Sequence, residues 1–479
     1  MISKVYDEKI RAWIGEHREE ILQKWMELIR IPSLSGEPEE NAPYGKACAE
    51  ALRRAAGFFA EKGFSVRLEE KYGYGLAQFG DGERTIGLFA HCDVVPTGDG
   101  WMYTEPFVPV IRDGLLFGRG ASDNKSGVMA SLCIMSILKD CGIPVKSSIS
   151  AFLGTNEESG MADVEAFAAR EKMPDLSLVP DSSFPCSLGE KGILRLWAKS
   201  PVPLTDVLEF RGGDAFNIVL DEVNVTLSPN AALEEELREK IGNEGAYTLS
   251  GDEDGTLHLR VRGIAKHAAD PEGSVNASVL AAKLLGSCKA LNGTDRAVMA
   301  DAAALYGDHW GGGLGISHED EHFGKLSAVN GMAKVESGHL CLSLDVRYGA
   351  SFGPEELEEK LSAAYGAKGW EIIECNNRPG FRADPDGYVP GMMKKLYREL
   401  TGTEKEPFYM AGGTYARYLK NAFAVGTWAD DPHRETPMTR LPAGRGSAHQ
   451  RDEAVDLAGF FQAVRLLTHA VIACDKEQM

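Results

Sequence analysis

The hydrophobic positions near the start of the chain follow a helical period. Ile10, Trp13 and Ile14 begin a series of apolar residues at three- to four-residue intervals that ends before Pro32. This spacing predicts an amphipathic helix over residues 7–30. By the same criteria, further helices are predicted over residues 44–62, 128–138, 387–401 and 452–472, and strands over residues 85–90, 148–153 and 176–179.

The order of these segments predicts two domains. Strands and helices alternate up to about residue 181, which is typical of a sheet with helices on its faces. After residue 191 the sequence becomes more strand-like, charged and interrupted by glycines, and long amphipathic helices return only after residue 380. We therefore expect an α/β domain formed by residues 1–186 and 381–479, interrupted by a second domain of residues 187–380.

Composition and charge exclude several classes of partner. Of the 479 residues, 43% are hydrophobic and 25% are charged, as in globular proteins, and the net charge is -20. An acidic chain of this kind is not expected to bind nucleic acid or an anionic membrane surface. No run of 18 apolar residues predicts a membrane span. The start of the chain lacks a signal-peptide core, and nine cysteines without CxxC spacing fit a reducing compartment, so a cytoplasmic protein is expected.

Acidic and imidazole side chains follow the predicted strands. They are His91 and Asp93 after residues 85–90, Asp123 after the turn Gly118–Gly120, Glu157 and Glu158 after residues 148–153, and Asp181 after residues 176–179. In open α/β sheets the loops at the carboxyl ends of strands converge on one site. Clustered carboxylates repel one another unless a cation is present, so a metal site is indicated, and His449 is the best remaining ligand candidate.

Each of these residues also has a simpler interpretation. His91 could be a structural histidine, and Asp123 could cap the helix that follows it. The pair Glu157 and Glu158 could be a solvated turn, and Asp181 could begin an Asx-turn. Their common place at strand ends favours the metal site.

Four ordered motifs resemble one family. They are His91–Pro96, Gly118–Lys125, Thr155–Ser159 and the late His449, and they look like the family of aminoacylases, glutamate carboxypeptidases and dipeptidases. Gly263–Ala269 and Asp345–Arg347 are most similar to its PepV-type bacterial dipeptidases. The resemblance implies an α/β fold, in which a mixed-sheet catalytic domain of the two-metal exopeptidase type is interrupted by a large α+β lid domain.

The resemblance also implies a division of roles. Two divalent ions would be held by five residues: His91 and Asp181 on one ion, Glu158 and His449 on the other, and Asp123 bridging both. Asp93 would orient His91, as ligating imidazoles require. Glu157 would be the general base for a water that bridges the ions. Zinc is expected first, with manganese or cobalt as alternatives.

Residues of the insertion would contact the substrate in this family. His267 would stabilise the oxyanion, Arg347 would bind the C-terminal carboxylate, and Asn217 would touch the same end of the substrate. The segment Gly412-Gly413-Thr414 would lie along the substrate. A surface histidine, a salt bridge at a strand end and an ordinary turn are the simpler interpretations of these features.

The expected function is therefore hydrolysis of unblocked dipeptides by a metal-dependent dipeptidase. The insertion is long enough to supply His267 within one chain, so a monomer is expected. Two alternatives stay open: a deacylase or amidohydrolase acting on N-acyl amino acids, and a metal-binding regulatory protein without turnover. The presence of Glu157 argues against the second, because a scaffold has no use for a base beside its ligands. Cys92 is expected in the core, since it would point away from its neighbours in a strand.

Overall fold

The computed structural model describes residues 2–242, 244–431 and 434–477. The chain divides into two compact units. The first consists of Met1–Gly189, Ala383–Phe408 and Thr414–Met479, and the second of Glu190–Arg382 and Tyr409–Gly413.

The described residues form ten α-helices. They are α1 (Lys4–Ile29), α2 (Lys46–Glu61), α3 (Lys125–Asp140), α4 (Ala162–Arg170), α5 (Ala231–Ile241), α6 (Ala277–Ser287), α7 (Gly293–Leu305), α8 (Pro354–Gly366), α9 (Tyr388–Thr401) and α10 (Leu457–Lys476).

The strands of the same residues are β1 (Ser65–Glu69), β2 (Tyr74–Phe79), β3 (Thr85–His91), β4 (Val110–Arg112), β5 (Leu115–Phe117), β6 (Ser148–Gly154), β7 (Leu176–Ser182), β8 (Ser187–Glu190), β9 (Gly192–Lys199), β10 (Val207–Arg211), β11 (Glu222–Leu227), β12 (Tyr247–Gly251), β13 (Leu257–Arg262), β14 (Glu319–Asp320), β15 (Gly324–Lys325), β16 (Ser327–Val329), β17 (Ala333–Glu336), β18 (His339–Tyr348), β19 (Glu371–Arg378), β20 (Phe381–Arg382), β21 (Phe408–Met410), β22 (Ala422–Gly426) and β23 (Ala454–Asp456).

The first unit contains a mixed six-stranded sheet in the order β1-β2-β6-β3-β7-β22. The strands β6, β3, β7 and β22 run parallel, whereas β1 and β2 pair antiparallel at one edge. In the register of β3 and β6, His91 lies opposite Gly154, so both strands end at the same level. The carboxyl ends of the central strands therefore meet at one edge of the sheet, as the sequence pattern predicts.

Helices α1, α3 and α10 belong to the core of this unit. The predicted first helix is confirmed: Ile10, Trp13 and Trp25 are buried, and the Trp25 ring lies 4.4 Å from that of Phe460. In the described residues, α10 is the one helix long and apolar enough to cross a membrane. Most of its apolar window is buried inside the protein, as expected of a core helix.

The last predicted helix begins later than its hydrophobic pattern indicates. Residues 454–456 form β23, which pairs antiparallel with β5. The helix starts at Leu457, because the Asp456 carboxylate accepts the Ala458 N–H (3.1 Å) and caps it. Pairing with a distant strand cannot be read from a local period.

The second unit contains two larger sheets. One has the order β10-β11-β13-β12, and the other has the order β16-β18-β9-β19, with β17 also paired to β18. Alternate residues of β9, such as Leu194, Leu196 and Ala198, are buried in a core separate from that of the first unit. The combination of helices and antiparallel sheets is the expected α+β architecture.

Candidate metal centre

His91 and two carboxylates meet at the end of the central strands. His91 is the last residue of β3, and its Nε2 lies 3.2 Å from Asp123 Oδ1 and 3.7 Å from Asp181 Oδ2. Asp123 precedes α3, whereas Asp181 lies within the last residues of β7 rather than after the strand. The His91 side chain is fully buried.

A second imidazole approaches from the far end of the sequence. His449 Nε2 lies 3.1 Å from Asp123 Oδ2 and 3.1 Å from Glu158 Oε1. The two oxygens of Asp123 therefore face two different histidines. His449 has a φ of 63° and a half-exposed side chain, so this ligand candidate lies at the mouth of the cluster.

The donor atoms of the cluster fit a cation. Two groups have their nitrogen and oxygen atoms within 4.8 Å of one another: His91 with Asp123 and Glu158, and His91 with Glu157 and Asp181. His91 Nε2 and Glu157 Oε1 are buried without a hydrogen-bond partner. Buried polar atoms are normally paired, so both atoms point to a missing positive partner. Glu157 is close enough to be a ligand as well as a base.

The pKa shifts in the cluster arise from burial and from the mutual contacts of its acidic and imidazole groups. Burial raises the pKa of Glu157 well above its usual value, and it raises the pKa of Glu158 to about 7. Hydrogen bonds to Asp123 and Glu158 raise the pKa of His449 to about 11. Burial acts to lower the pKa of His91, but the carboxylates of Asp123 and Asp93 outweigh it and raise that pKa. Four carboxylates at this site thus require positive charge, which a divalent cation would supply.

Asp93 holds both His91 and the acidic turn. His91 Nδ1 lies 3.0 Å from the carbonyl oxygen and 3.3 Å from Oδ1 of Asp93, which leaves Nε2 directed at the cluster. The Asp93 carboxylate also accepts the N–H groups of Glu157 (3.2 Å) and Glu158 (3.1 Å). Asp93 therefore orients an imidazole and two acidic side chains together.

The helix that follows Asp123 is not capped by it. The N-cap position of α3 is Asn124, whose side-chain amide donates to Asp181 Oδ1 (2.7 Å) and to the Pro180 carbonyl (2.6 Å).

Cys92 is fully buried in the hydrophobic core, and burial raises the pKa of its thiol to about 12. The expectation that Cys92 belongs to the core is confirmed.

Asn217 and His267, which the family resemblance assigns to substrate contact, lie close together in the second unit. Asn217 Nδ2 and His267 Nε2 are 3.3 Å apart, and the Ala268 N–H donates to the Asn217 carbonyl (2.8 Å). His267 Nδ1 accepts the Ala269 N–H (3.1 Å). With Nδ1 accepting this N–H, a neutral His267 would carry its proton on Nε2, the nitrogen that faces the side-chain amide of Asn217.

Arg347 is more constrained than its sequence position indicates. It lies on β18 and is buried, with Nε 2.5 Å from Asp345 Oδ1 and Nη2 3.1 Å from Asp345 Oδ2. Asp345 also accepts Nε of Arg195 (3.0 Å). Two of the five N–H donors of Arg347 are thus used within the protein.

The glycine segment has a mixed character. A Cβ atom added at Gly412 would meet nothing within 4 Å, so the backbone is open there. Thr414 is buried, and its hydroxyl accepts the Ala416 N–H (3.1 Å) at the start of a short helical turn. Gly413 ends the part of this segment that belongs to the second unit, and Thr414 begins the part that belongs to the first.

The sequence pattern of Peptidase family M20/M25/M40 matches residues 87–473. The chain belongs to this family. It is thus a peptidase hydrolase. Its mixed α/β architecture is that of the M20 fold, which has a catalytic domain and a lid domain.

Two bacterial relatives share about a quarter of their residues with this M20 chain. "Putative dipeptidase YtjP" of Bacillus subtilis (strain 168) is 27% identical over 465 residues, covering 95% of this chain and 97% of the relative. A Staphylococcus aureus (strain USA300) protein of the same description is 25% identical over 478 residues, covering 97% and 99%.

Solved structures show the same fold at lower identity. The dipeptidase Dug1p from Saccharomyces cerevisiae gives a TM-score of 0.61 at 14% identity, with all of both chains covered. Human carnosine dipeptidase 1 gives a TM-score of 0.59 at 14% identity, with 98% of this chain and 100% of the other covered. The closer similarity to PepV-type members stays a prediction.

Two buried carboxylates of this M20 chain lie outside the sequence motifs. Asp163 accepts the N–H groups of Thr155 (2.7 Å) and Asn156 (2.9 Å), the two residues directly before the acidic turn. It also accepts the hydroxyl of Tyr415 (2.6 Å). The other is Glu453, which accepts the Asp123 N–H (2.9 Å). An acidic residue in the first turn of a helix, or near a strand, is ordinary in sequence. No local pattern distinguishes either.

Proposed function

We propose that this M20-family protein is a metal-dependent dipeptidase that hydrolyses unblocked dipeptides with two divalent ions, zinc in the first place. One observation carries the proposal: the two oxygens of Asp123 face different imidazoles, with His91 Nε2 at 3.2 Å and His449 Nε2 at 3.1 Å. A carboxylate in this position suits a bridge between two cations.

The surrounding side chains complete two ligand sets. His91 and Asp181 would hold one ion, and Glu158 and His449 would hold the other, with Asp123 common to both. Oxygen and imidazole ligands of this kind accept zinc, manganese or cobalt. When bound, the ions supply Lewis acidity to the scissile carbonyl and lower the pKa of water in the site.

Glu157 is the general base of the proposal. It lies in the turn held by Asp93, and its Oε1 is buried without a hydrogen-bond partner. This oxygen would take the proton of the attacking water and pass it to the leaving amine. The ligand sets above are complete without Glu157, so its carboxylate stays available for the proton.

The second unit would supply contacts to the substrate. His267 would donate from Nε2 to the oxyanion, a role that fits the acceptance of the Ala269 N–H by Nδ1. Arg347 would bind the C-terminal carboxylate with the donors that Asp345 leaves free, and Asn217 would support this end of the substrate. Gly412, Gly413 and Thr414 would lie along the peptide. The proposal places the enzyme in the cytoplasm.

The test is metal reconstitution combined with a substrate panel. Protein stripped with a chelator should be inactive, and zinc, manganese or cobalt added singly should restore activity while elemental analysis finds two ions per chain. The panel contains free dipeptides, the same dipeptides amidated at the C-terminus, tetrapeptides and N-acyl amino acids. Free dipeptides should be cleaved fastest, because amidation removes charge-assisted hydrogen bonds of about 1.5–3 kcal/mol each.

Four outcomes would contradict the proposal. Full activity with a single ion would reject the bridged pair. Equal cleavage of free and amidated dipeptides would reject carboxylate recognition by Arg347. Faster hydrolysis of N-acyl amino acids than of dipeptides would establish the deacylase alternative, and metal binding without turnover of any substrate would establish a regulatory protein.

A further inference from the structure

Glu453 and Arg119 form a buried ion pair beside the candidate metal centre. Arg119 Nη1 lies 2.7 Å from Glu453 Oε2, and both side chains are essentially inaccessible to water. Removing two charges from water is costly, so a pair of this kind requires further hydrogen bonds to persist. The structure provides them on both sides.

The Glu453 carboxylate is saturated by the loop that carries Asp123. Its Oε1 accepts the N–H groups of Ser122 (2.8 Å) and Asp123 (2.9 Å). Its Oε2 accepts the Gly120 N–H (3.1 Å) in addition to Arg119. The Glu453 carbonyl also accepts the Gly118 N–H (2.9 Å). Four backbone N–H groups of residues 118–123 are therefore held by a single residue, three of them by its carboxylate.

Arg119 extends this arrangement to the other ligand-bearing segments. Its Nη2 donates to the carbonyl of Pro96 (3.1 Å), five residues after His91. Its Nη1 donates to the carbonyl of Gln450 (3.2 Å), the residue after His449. The ion pair thus connects the three chain segments that present His91, Asp123 and His449.

We propose that Glu453 is a positioning residue that sets the spacing of Asp123 and His449 before any cation binds. Without a cation the carboxylate of Asp123 is repelled by those of Glu158 and Asp181, and this repulsion would displace the loop around Asp123 from the position in which it faces both histidines. Because Glu453 holds that loop by three backbone N–H groups and lies four residues after His449, it opposes this movement. This inference rests on the proposed metal-binding function and adds a determinant of metal affinity that makes no contact with the ions.

The test compares one amide substitution with a matched control. Glu453→Gln keeps the shape of the side chain. Its NH2 group is a donor, however, and cannot accept the backbone N–H groups that the carboxylate accepts. The control is Asp475→Asn, in which the buried carboxylate likewise accepts backbone N–H groups of the first unit, those of Lys146 (2.9 Å) and Ser147 (2.6 Å). These precede β6, whereas the acidic turn follows it. Zinc affinity is measured by chelator competition, the cobalt absorption spectrum is recorded, and the thermal midpoint is determined.

Glu453→Gln should weaken zinc binding by about 10–100-fold, as for other residues that orient ligands, and should shift the cobalt spectrum. Asp475→Asn should lower the thermal midpoint while zinc affinity stays within twofold of the wild type. Glu453→Asp, which keeps the charge, should recover part of the affinity. The proposal is overturned if Glu453→Gln binds zinc as the wild type does, or if both variants lose the same affinity.

If Glu453→Gln does not fold, hydrogen exchange of the metal-free wild type decides. The proposal requires the amides of Gly120, Ser122 and Asp123 to be protected without metal, and free exchange of this segment would overturn it. The result is separable from the proposed function. A wild type that binds one ion or lacks dipeptidase activity contradicts that function, whereas the Glu453 comparison depends only on zinc affinity and amide protection.

Discussion

At the residue scale, Glu157 decides between catalysis and simple metal binding. Glu157→Gln should reduce turnover by about 10²–10⁴-fold, because the amide cannot take the proton of water. Two bound ions per chain should be retained, since the proposed ligand sets do not include Glu157. Steady-state kinetics with free dipeptides and elemental analysis of the same sample are the measurements.

The matched control is Glu165→Gln, the same change at an exposed position on α4. It should keep wild-type kinetics. Near-wild-type turnover of the Glu157→Gln protein with metal bound would show that another group is the base. Loss of an ion from that protein would instead assign Glu157 as a ligand, which its distance of 4.0 Å from His91 Nε2 also permits.

A second prediction at this scale concerns Asp320 and the stability of the second unit. Burial acts to raise the pKa of Asp320, but hydrogen bonds from Ser351 and from the amides of His322 and Phe323 outweigh it and lower the pKa. The folded state therefore binds a proton less readily than the unfolded state. The ionised Asp320 carboxylate therefore stabilises the folded state above pH 4. This contribution is lost as the pH falls below 3.8, the usual pKa of aspartate.

Asp320→Asn should therefore lower the free energy of unfolding by about 1–3 kcal/mol at pH 7, because an amide replaces an oxygen that accepts N–H groups. The difference from the wild type should shrink as the pH falls from 5 to 2. Thermal unfolding at several pH values measures it, with Asp221→Asn at an exposed position of the same unit as the control. A difference independent of pH would contradict the assignment.

At the scale of elements, the turn after β6 depends on a glycine. An added Cβ at Gly154 would lie 2.0 Å from Tyr415 Oη and 2.6 Å from Asp163 Oδ2. Gly154→Ala should therefore displace the hydrogen bonds that hold the acidic turn, lowering the thermal midpoint and the number of retained ions. Calorimetry and elemental analysis test both effects.

Gly391 provides the opposite control. It lies within α9, and an added Cβ there would meet nothing within 4 Å. Gly391→Ala should stabilise the protein by about 0.5–1 kcal/mol, because alanine loses less entropy in a helix. If Gly154→Ala matched this increase, the close packing against Tyr415 would not determine the turn.

The elements that the sequence pattern predicts are largely confirmed, and the exception at the last helix has a physical cause. The period of apolar residues gives α1, α3, β3 and β6 to within a few residues. It fails at residues 454–456, which form β23 because they pair with β5 more than 300 residues earlier. Hydrogen bonds between distant segments leave no local period.

At the scale of the whole molecule, one chain should be sufficient to form the proposed active site. Its insertion carries His267, so each chain should form a complete site. Glu157→Gln chains mixed with His267→Ala chains should then show no more activity than the sum of the separate samples. Sedimentation of the wild type should give a monomer of 51.9 kDa.

The mixing experiment requires refolding the two variants together as well as simple addition. Recovered activity after co-refolding would mean that one chain completes the site of another, and the monomer proposal would fail. Co-refolded wild type and Glu157→Gln chains give the reference for activity per wild-type chain.

The sequence sufficed to predict the family, the alternation of elements and the residues that meet at the strand ends. It could do so because each motif lies beside a strand with its own local signal, and parallel strands bring their carboxyl ends together. Only the tertiary structure revealed the parts that hold these motifs. Asp163 and Glu453 accept backbone N–H groups of segments whose positions depend on the whole sheet. Such contacts depend on packing and register, which no spacing in the sequence encodes.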